Sequence, residues 1–287
     1  MTLKEFRNHF KNELLEIYPT TEIDSFFFLL IEEYLDLQRI DTVLKPDFKI
    51  DEAKLSTFKK VLQRLKKQEP IQYIIGKTEF YGYPFLVDKN TLIPRPETEE
   101  LVEWIINEVE DLQLAKNKKI NILDIGTGSG CIPIALAKNL KNATISAIDV
   151  SYEALKMAKK NAEFNKVIIN FIEKDILTAN ILPESYDIII SNPPYVRELE
   201  KAEIQNNVLE NEPHLALFVS DDDPLIFYNK IAELAKNHLT KNGILFFEIN
   251  QYLGLETVKM LKEKAFKNIV LKKDLFKNDR MIKANVL

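Results

Sequence analysis

The run Ile122-Leu123-Asp124-Ile125-Gly126-Thr127-Gly128-Ser129-Gly130 decides the fold. Its apolar first half, with the residues just before it, reads as a buried strand over 119–124. Its second half places three of the chain's seven glycines within five positions. Where a strand passes into a helix, missing Cβ atoms let the backbone approach a ligand, and the free N–H groups of the helix point outward. A turn without a ligand would need one glycine, not three. A dinucleotide fingerprint would place its third glycine three residues after Gly128, where this chain has Cys131, so the spacing is G-x-G-x-G. No Gly-Lys-Ser/Thr follows, which excludes a phosphate loop of that kind.

Downstream, apolar runs alternate with helical periodicities. Strands are predicted over 144–149, 167–172, 186–190 and 244–249, with terminal ones near Val270 and Ile282; helices are predicted over 151–165 and 224–239 and from about Leu255. Such alternation specifies an α/β fold, a parallel sheet with helices on both faces. Asp149 closes the second strand, 19 residues past Gly130, where a carboxylate can accept from ribose hydroxyls or, alternatively, cap the helix that follows. Asp175, after the third strand, could accept from an adenine amino group or merely solvate its loop. Cys131 reads as a small packing residue.

Upstream, the first seventy or so residues are helical. Leu3, Phe6, Phe10, Leu14 and Ile17 form one stripe, and Leu55, Phe58, Val61, Leu62 and Leu65 another. Thr21 with Asp24 resembles a capping pair ahead of Ile23, Phe26, Phe27 and Leu30. These stripes need one another for burial, so a helical bundle is expected to end near Pro70, within a first domain spanning 1–76. Lys59, Lys60, Arg64, Lys66 and Lys67 read as its solvated face or, alternatively, as a docking patch for an acidic or phosphate-bearing partner. Period-two patterning over 79–87 predicts a hairpin in a linker spanning 77–95, and the α/β domain fills 96–287. Phe80, Tyr81, Phe85 and Arg95 are weaker site candidates, because aromatic residues in a hairpin are more often core.

Composition narrows the classes. With 46% hydrophobic and 29% charged residues the chain is an ordinary globular protein, and a net charge of -5 argues against nucleic-acid binding through the field of the whole molecule. The single cysteine and a charged start, MTLKEFRNHF, suggest a reducing cytoplasm. The longest conspicuous apolar run, 26–31, is too short to cross a bilayer. No metal is expected.

The second decisive stretch is Ser191-Asn192-Pro193-Pro194-Tyr195-Val196, directly after the apolar run 186–190. Two prolines donate no backbone hydrogen bond and hold the residues before them extended, so the loop is stiff and its carbonyls stay available. Asn192 offers a side-chain oxygen and Tyr195 a flat face. Together they suit a planar NH₂ group, one N–H directed to the Asn192 side chain and the other to the Pro193 carbonyl. An amide or aryl amine is a weak nucleophile, and a fixed pair of acceptors positions its lone pair for attack. His214 is read as structural, since this chemistry needs no general base.

A D-x-G-x-G-x-G loop, an acid closing the second strand and Asn-Pro-Pro-Tyr after the fourth resemble the class I S-adenosylmethionine-dependent methyltransferases. Pro94-Arg95-Pro96-Glu97-Thr98-Glu99, Glu212-Pro213-His214-Leu215-Ala216-Leu217 and the preceding helical domain extend the resemblance to the HemK/PrmC family, protein-(glutamine-N5) methyltransferases of peptide chain release factors. The resemblance implies a Rossmann-like, mainly parallel seven-stranded sheet. It implies S-adenosylmethionine at Gly126, Thr127, Gly128, Ser129, Gly130, Asp149, Asp175, Ile176 and Asn192, leaving S-adenosylhomocysteine as product. Ile176 stands where many relatives carry an aromatic ring, so adenine stacking is not implied there. It further implies that Asn192, Pro193, Pro194 and Tyr195 hold the glutamine of a Gly-Gly-Gln motif, with Asn192, Pro193 and Tyr195 catalytic, and that residues 1–76 dock release factor 1 or 2. Neither direct nucleic-acid contact nor a membrane is implied, and a monomer is expected. Ribosomal protein uL3 and, more remotely, adenine N6 in nucleic acid are the alternative acceptors.

Overall fold

The computed structural model describes residues 1–111 and 119–286; positions 112–118 and 287 of the expected 96–287 domain lie outside the described residues. Two units separate: Met1–Gly76 with Asn206–Asn211, and Lys77–Gln205 with Glu212–Leu287.

In the first unit, α1 (Leu3–Leu14), α2 (Thr20–Leu35), α3 (Asp41–Leu44), α4 (Glu52–Leu65) and α5 (Ile71–Ile75) follow one another. The stripes Leu3, Phe6, Phe10, Leu14 and Phe58, Val61, Leu62, Leu65 are buried against α2. The Phe6 and Phe58 rings stack with centroids 4.6 Å apart. Each fully buried phenylalanine contributes about 1.5–3 kcal/mol relative to exposure, so this aromatic centre explains why helices of modest length hold together. The capping box belongs to Thr2 and Glu5, not to Thr21 and Asp24: α2 starts at Thr20 behind Pro19, which has no N–H to satisfy, and Asp24 pairs with Arg7 at 2.9 Å. Ile17 lies past the end of α1 and is exposed, and the bundle runs beyond Pro70 through α5 to Gly76. The basic residues of α4 are partly neutralised, Arg64 by Glu69 and Lys66 by Glu13. The short helix Asn206–Asn211 groups with this unit, where Asn211 donates to the Gln68 carbonyl at 3.3 Å.

The second unit is built on seven strands: β1 (Ile120–Ile125), β2 (Ala143–Asp149), β3 (Asn170–Glu173), β4 (Tyr186–Ser191), β5 (Leu239–Glu248), β6 (Lys267–Lys273) and β7 (Asp279–Asn285). Their spatial order is β6-β7-β5-β4-β1-β2-β3, with β7 antiparallel to both neighbours and the remaining pairs parallel. Successive residues face opposite sides, and both sides are covered. Ile122, Ile188, Ile190 and Phe246 pack with α6 (Pro96–Asp111) and α7 (Cys131–Asn139), whereas Leu123, Ile189, Leu245 and Phe247 pack with the helices Ile226–His238 and Gly254–Glu263. Double-sided burial is why these strands read as unbroken apolar runs.

The strands Lys77–Phe80 and Tyr83–Leu86 form the expected hairpin, turned by Tyr81 and Gly82 at φ 52° and 74°, the positive pair that a tight two-residue turn requires. Phe80 and Phe85 are buried in the sheet unit's own core, edge to face with centroids 6.0 Å apart. Asn161 on α8 (Tyr152–Phe164) anchors the hairpin: its side chain accepts from Leu86 N–H at 2.7 Å and donates to the carbonyls of Leu86 and Ser129, each at 2.9 Å.

Gly130 caps α7 at φ +81°, and a Cβ there would stand 3.1 Å from the Ala158 Cβ. Left-handed backbone and crowding against α8 act together, so Gly130→Ala should lower unfolding stability by about 1–3 kcal/mol. Urea denaturation with an unchanged midpoint would refute this.

Candidate active site

The parallel register sets Ile125 beside Ile148 on one side and Ser191 on the other, and Asp149 beside Glu173. The loops after β1, β2, β3 and β4 therefore emerge along one edge of the sheet, where they line a single cavity. This is the crevice beside an order reversal where open α/β sheets bind ligands.

Gly126 and Thr127 both donate to the Ile148 carbonyl, at 2.8 and 3.0 Å, which folds the glycine loop over the end of β2. Gly126, Gly128 and Gly130 all have positive φ, so conformation alone accounts for three glycines, and the ligand argument rests instead on the space they leave. A Cβ at Gly128 would meet nothing within 4 Å, and one at Gly126 only the Asn192 backbone carbonyl at 3.9 Å. Gly126, Thr127, Gly128 and Ser129 line the cavity; Gly130 does not, and its role is the packing of α7 on α8.

Asp149 accepts from Gly128 N–H and Ser151 N–H, both at 2.8 Å, while the helix cap proper is Ser151, which accepts from Ala154 N–H. The carboxylate thus joins two loops and keeps further acceptor capacity towards the cavity that it lines. Beneath the loop, the Asp124 carboxylate and the Thr127 hydroxyl are buried with no hydrogen-bond partner among the described residues. Burial pushes the Asp124 carboxyl up to about 7. A buried acid without a well-formed hydrogen bond costs folding free energy, and only the neighbouring Thr127 hydroxyl favours its anion.

Asp175 accepts from Leu177 N–H at 2.9 Å and lines the cavity with Ile176. Cys131 also lines it, but burial pushes its thiol up to about 12, which agrees with packing and not nucleophilic duty.

Asn192, Pro193 and Pro194 form the facing wall. All peptide bonds among the described residues are trans. Ser191 Oγ donates to the Ile125 carbonyl at 2.7 Å, which ties the start of this loop to the end of β1. Asn250 Nδ2 donates to the Tyr195 carbonyl at 2.9 Å, which ties its far end. No described donor bonds the Pro193 carbonyl. Tyr195 does not line the cavity; its hydroxyl donates to Glu248 Oε1 at 3.2 Å, and burial raises its pKa. The Asn192 side-chain nitrogen donates to Thr98 Oγ1 at 3.3 Å, and Thr98 Oγ1 donates to Glu248 Oε2 at 2.6 Å. Glu248, 1% exposed, closes β5 as Asn192 follows β4.

At the rim, Arg95 donates to the buried Glu212 at 2.7 Å, and Ile93 N–H donates to its other oxygen at 3.1 Å. The two proline-flanked motifs are thereby joined. Tyr81 instead serves the hairpin, bonding Glu99 and Glu103, and His214 packs edge to face on Phe218. Sequence reading passed over Thr98, Asn161 and Glu248 as site residues. The available signal was a polar residue at the end of, or within, an otherwise apolar face: Glu248 after Ile244-Leu245-Phe246-Phe247, and Asn161 among Leu155, Ala158 and Ala162.

Comparison with known proteins adds two family models, the PrmC N-terminal domain over residues 5–76 and the methyltransferase small domain over 109–217. The chain is 58% identical over 285 residues to the release factor glutamine methyltransferase of Flavobacterium psychrophilum, with 99% of each chain covered. It is 43% identical to that of Bacteroides thetaiotaomicron, covering 96% of this chain and 98% of the relative. Among solved structures, the catalytic domain of hMettl16 in complex with a MAT2A 3′UTR hairpin shares the fold at TM-score 0.56 and 18% identity, covering 72% of this chain and 77% of that one. Human methyltransferase 10 domain containing protein does so at TM-score 0.53 and 18% identity, covering 72% and 91%.

Two outcomes follow from the acids. Asp149→Ala should weaken binding of an adenosyl ligand about 10- to 100-fold by calorimetry; an unchanged dissociation constant would remove Asp149 from the site. Because the folded pKa of Asp124 lies above that of the unfolded chain, the ligand-free folded state holds the extra proton between about pH 4 and 7, so stability falls as pH rises through that window. Asp124→Asn should flatten this decline, and a denaturation-midpoint profile identical to the wild type would contradict it.

Proposed function

The chain belongs to the release factor glutamine methyltransferase family, and on that premise we propose that it moves a methyl group from S-adenosylmethionine to the N5 amide nitrogen of the glutamine in the Gly-Gly-Gln motif of peptide chain release factors 1 and 2. The observation that carries this reading is one cavity walled on one side by the glycine loop and Asp149 and on the other by Asn192, Pro193 and Pro194.

The described residues fit the donor. Asp149 takes the ribose hydroxyls, Asp175 and Ile176 the adenine, and the backbone of the glycine loop lies open to the methionine portion. When bound, S-adenosylmethionine supplies a methyl on a positively charged sulfur. The protein's own task is to hold the amide nitrogen. Asn192 Oδ1 and the Pro193 carbonyl accept its two hydrogens, and the trans prolines keep those acceptors fixed. Directing both N–H bonds into acceptors aims the nitrogen lone pair at the donor and favours the charge that develops on nitrogen as its new bond forms, and one of the two hydrogens then departs to water as a proton to leave the neutral N-methyl amide. Tyr195, held by Glu248 and Asn250, braces the loop from outside the cavity. The cavity wall is mostly apolar, which keeps water away while charge disperses.

Residues 1–76 are assigned to docking of the release factor, in keeping with their match to the PrmC N-terminal domain. No helix among the described residues is long and apolar enough to cross a membrane, and the lone cysteine suits a reducing cytoplasm.

Incubation with a labelled methyl donor and release factor should label the factor, and changing its Gly-Gly-Gln glutamine should abolish the label; label appearing on uL3 or nucleic acid instead would overturn the assignment. Asn192→Ala should lower kcat by about 10²–10³-fold while cofactor affinity stays near wild type. Loss of affinity in step with turnover would count against its role as acceptor.

A further inference from the structure

An asparagine amide can present either oxygen or nitrogen from nearly the same position, and only the oxygen serves an incoming N–H donor. Something must set the direction. The chain of bonds behind Asn192 does this. Glu248 Oε2 accepts from the Thr98 hydroxyl at 2.6 Å, and Glu248 Oε1 accepts from Tyr195 at 3.2 Å. A carboxylate has no proton to return. Thr98, having given its only proton to Glu248, can act toward Asn192 only as an acceptor, and the Asn192 nitrogen stands 3.3 Å from its Oγ1. The oxygen of Asn192 is then the atom left for the cavity.

We infer that Glu248 and Thr98 are positioning residues that fix the polarity of the Asn192 amide, so that a single buried carboxylate orients both ends of the Asn-Pro-Pro-Tyr loop. Thr98 and Glu248 are 3% and 1% exposed, so water does not compete for these bonds. Burial pushes the Glu248 carboxyl upward, while the Thr98 hydroxyl, the charge of Arg280 and the Tyr195 hydroxyl favour its anion. Arg280 is itself held by Asp274 at 3.1 Å, and Tyr228 secures the backbone of Glu248 by donating to its carbonyl at 3.1 Å. With a glutamine at 248 the chain can run backwards: its NH₂ donates to Thr98, Thr98 donates to the Asn192 oxygen, and the Asn192 nitrogen turns to the cavity.

The inference rests on the reaction proposed above, and the experiment separates the two. Thr98→Val, Thr98→Ser and Glu248→Gln are compared with wild type for kcat and KM on release factor, for the dissociation constant of S-adenosylhomocysteine and for melting temperature. T98V should lower kcat about three- to tenfold, T98S should restore it, and E248Q should lower it further than T98V, with KM and cofactor affinity near wild type in each. Wild-type kcat in either T98V or E248Q would overturn the inference while leaving the reaction intact. Equal losses in T98S and T98V, or losses that track melting temperature, would also overturn it. A wild-type enzyme that does not label release factor would instead remove the reaction itself.

Discussion

The parallel pairing of β4 beside β1 is the constraint on which the site depends. Register places Ile125 opposite Ser191, and the Ser191 hydroxyl bonds the Ile125 carbonyl. Parallel neighbours cannot be joined by a tight turn, and in this chain β2, β3 and their helices form the crossover between them. The same requirement that buries β1 and β4 on both faces delivers a nucleotide loop and an amide-binding loop to one edge of the sheet. Neither loop could be brought there by local sequence alone.

Around that edge, side chains grip main chain. Asn161 holds Leu86 and Ser129, Asn250 holds Tyr195, Asp149 holds Gly128 and Ser151, and Glu212 holds Ile93. Irregular loops carry backbone groups with no ladder to satisfy them, and buried amides and carboxylates supply the missing partners. Rigid backbone is what the chemistry needs, because a weak nucleophile gains more from fixed acceptors than from a strong base.

Much of this was legible in the chain. Residues 186–190 and 122–125 are apolar without alternation, Asp187 and Asp124 apart, because both sides are covered, and the glycine and proline punctuation after them marked where the sheet ends. Asp149, Asp175 and Asn192 could be singled out because each closes or follows a strand. Glu248 and Asn161 stood out only as polar residues on apolar faces and Thr98 not at all, since their partners lie 150, 94 and 75 positions away, a separation that no local periodicity encodes. The Thr21 capping pair failed because the helix starts one residue earlier, behind Pro19, so Thr21 lies inside the first turn and not at its cap. Gly130 was grouped with its neighbours by spacing, though only the proximity of Ala158 reveals its own task.

Asn161 behaves as a one-residue strand. By accepting from the N–H of Leu86 and donating to its carbonyl, it completes both main-chain bonds of a residue that ends the hairpin, and with its spare hydrogen it reaches the glycine loop. Recognition of this kind is blind to the identity of the residue recognised. Any residue except proline can supply both groups at position 86, whereas position 161 needs a short side chain that carries one acceptor and two hydrogens, and losing it would release hairpin and nucleotide loop together.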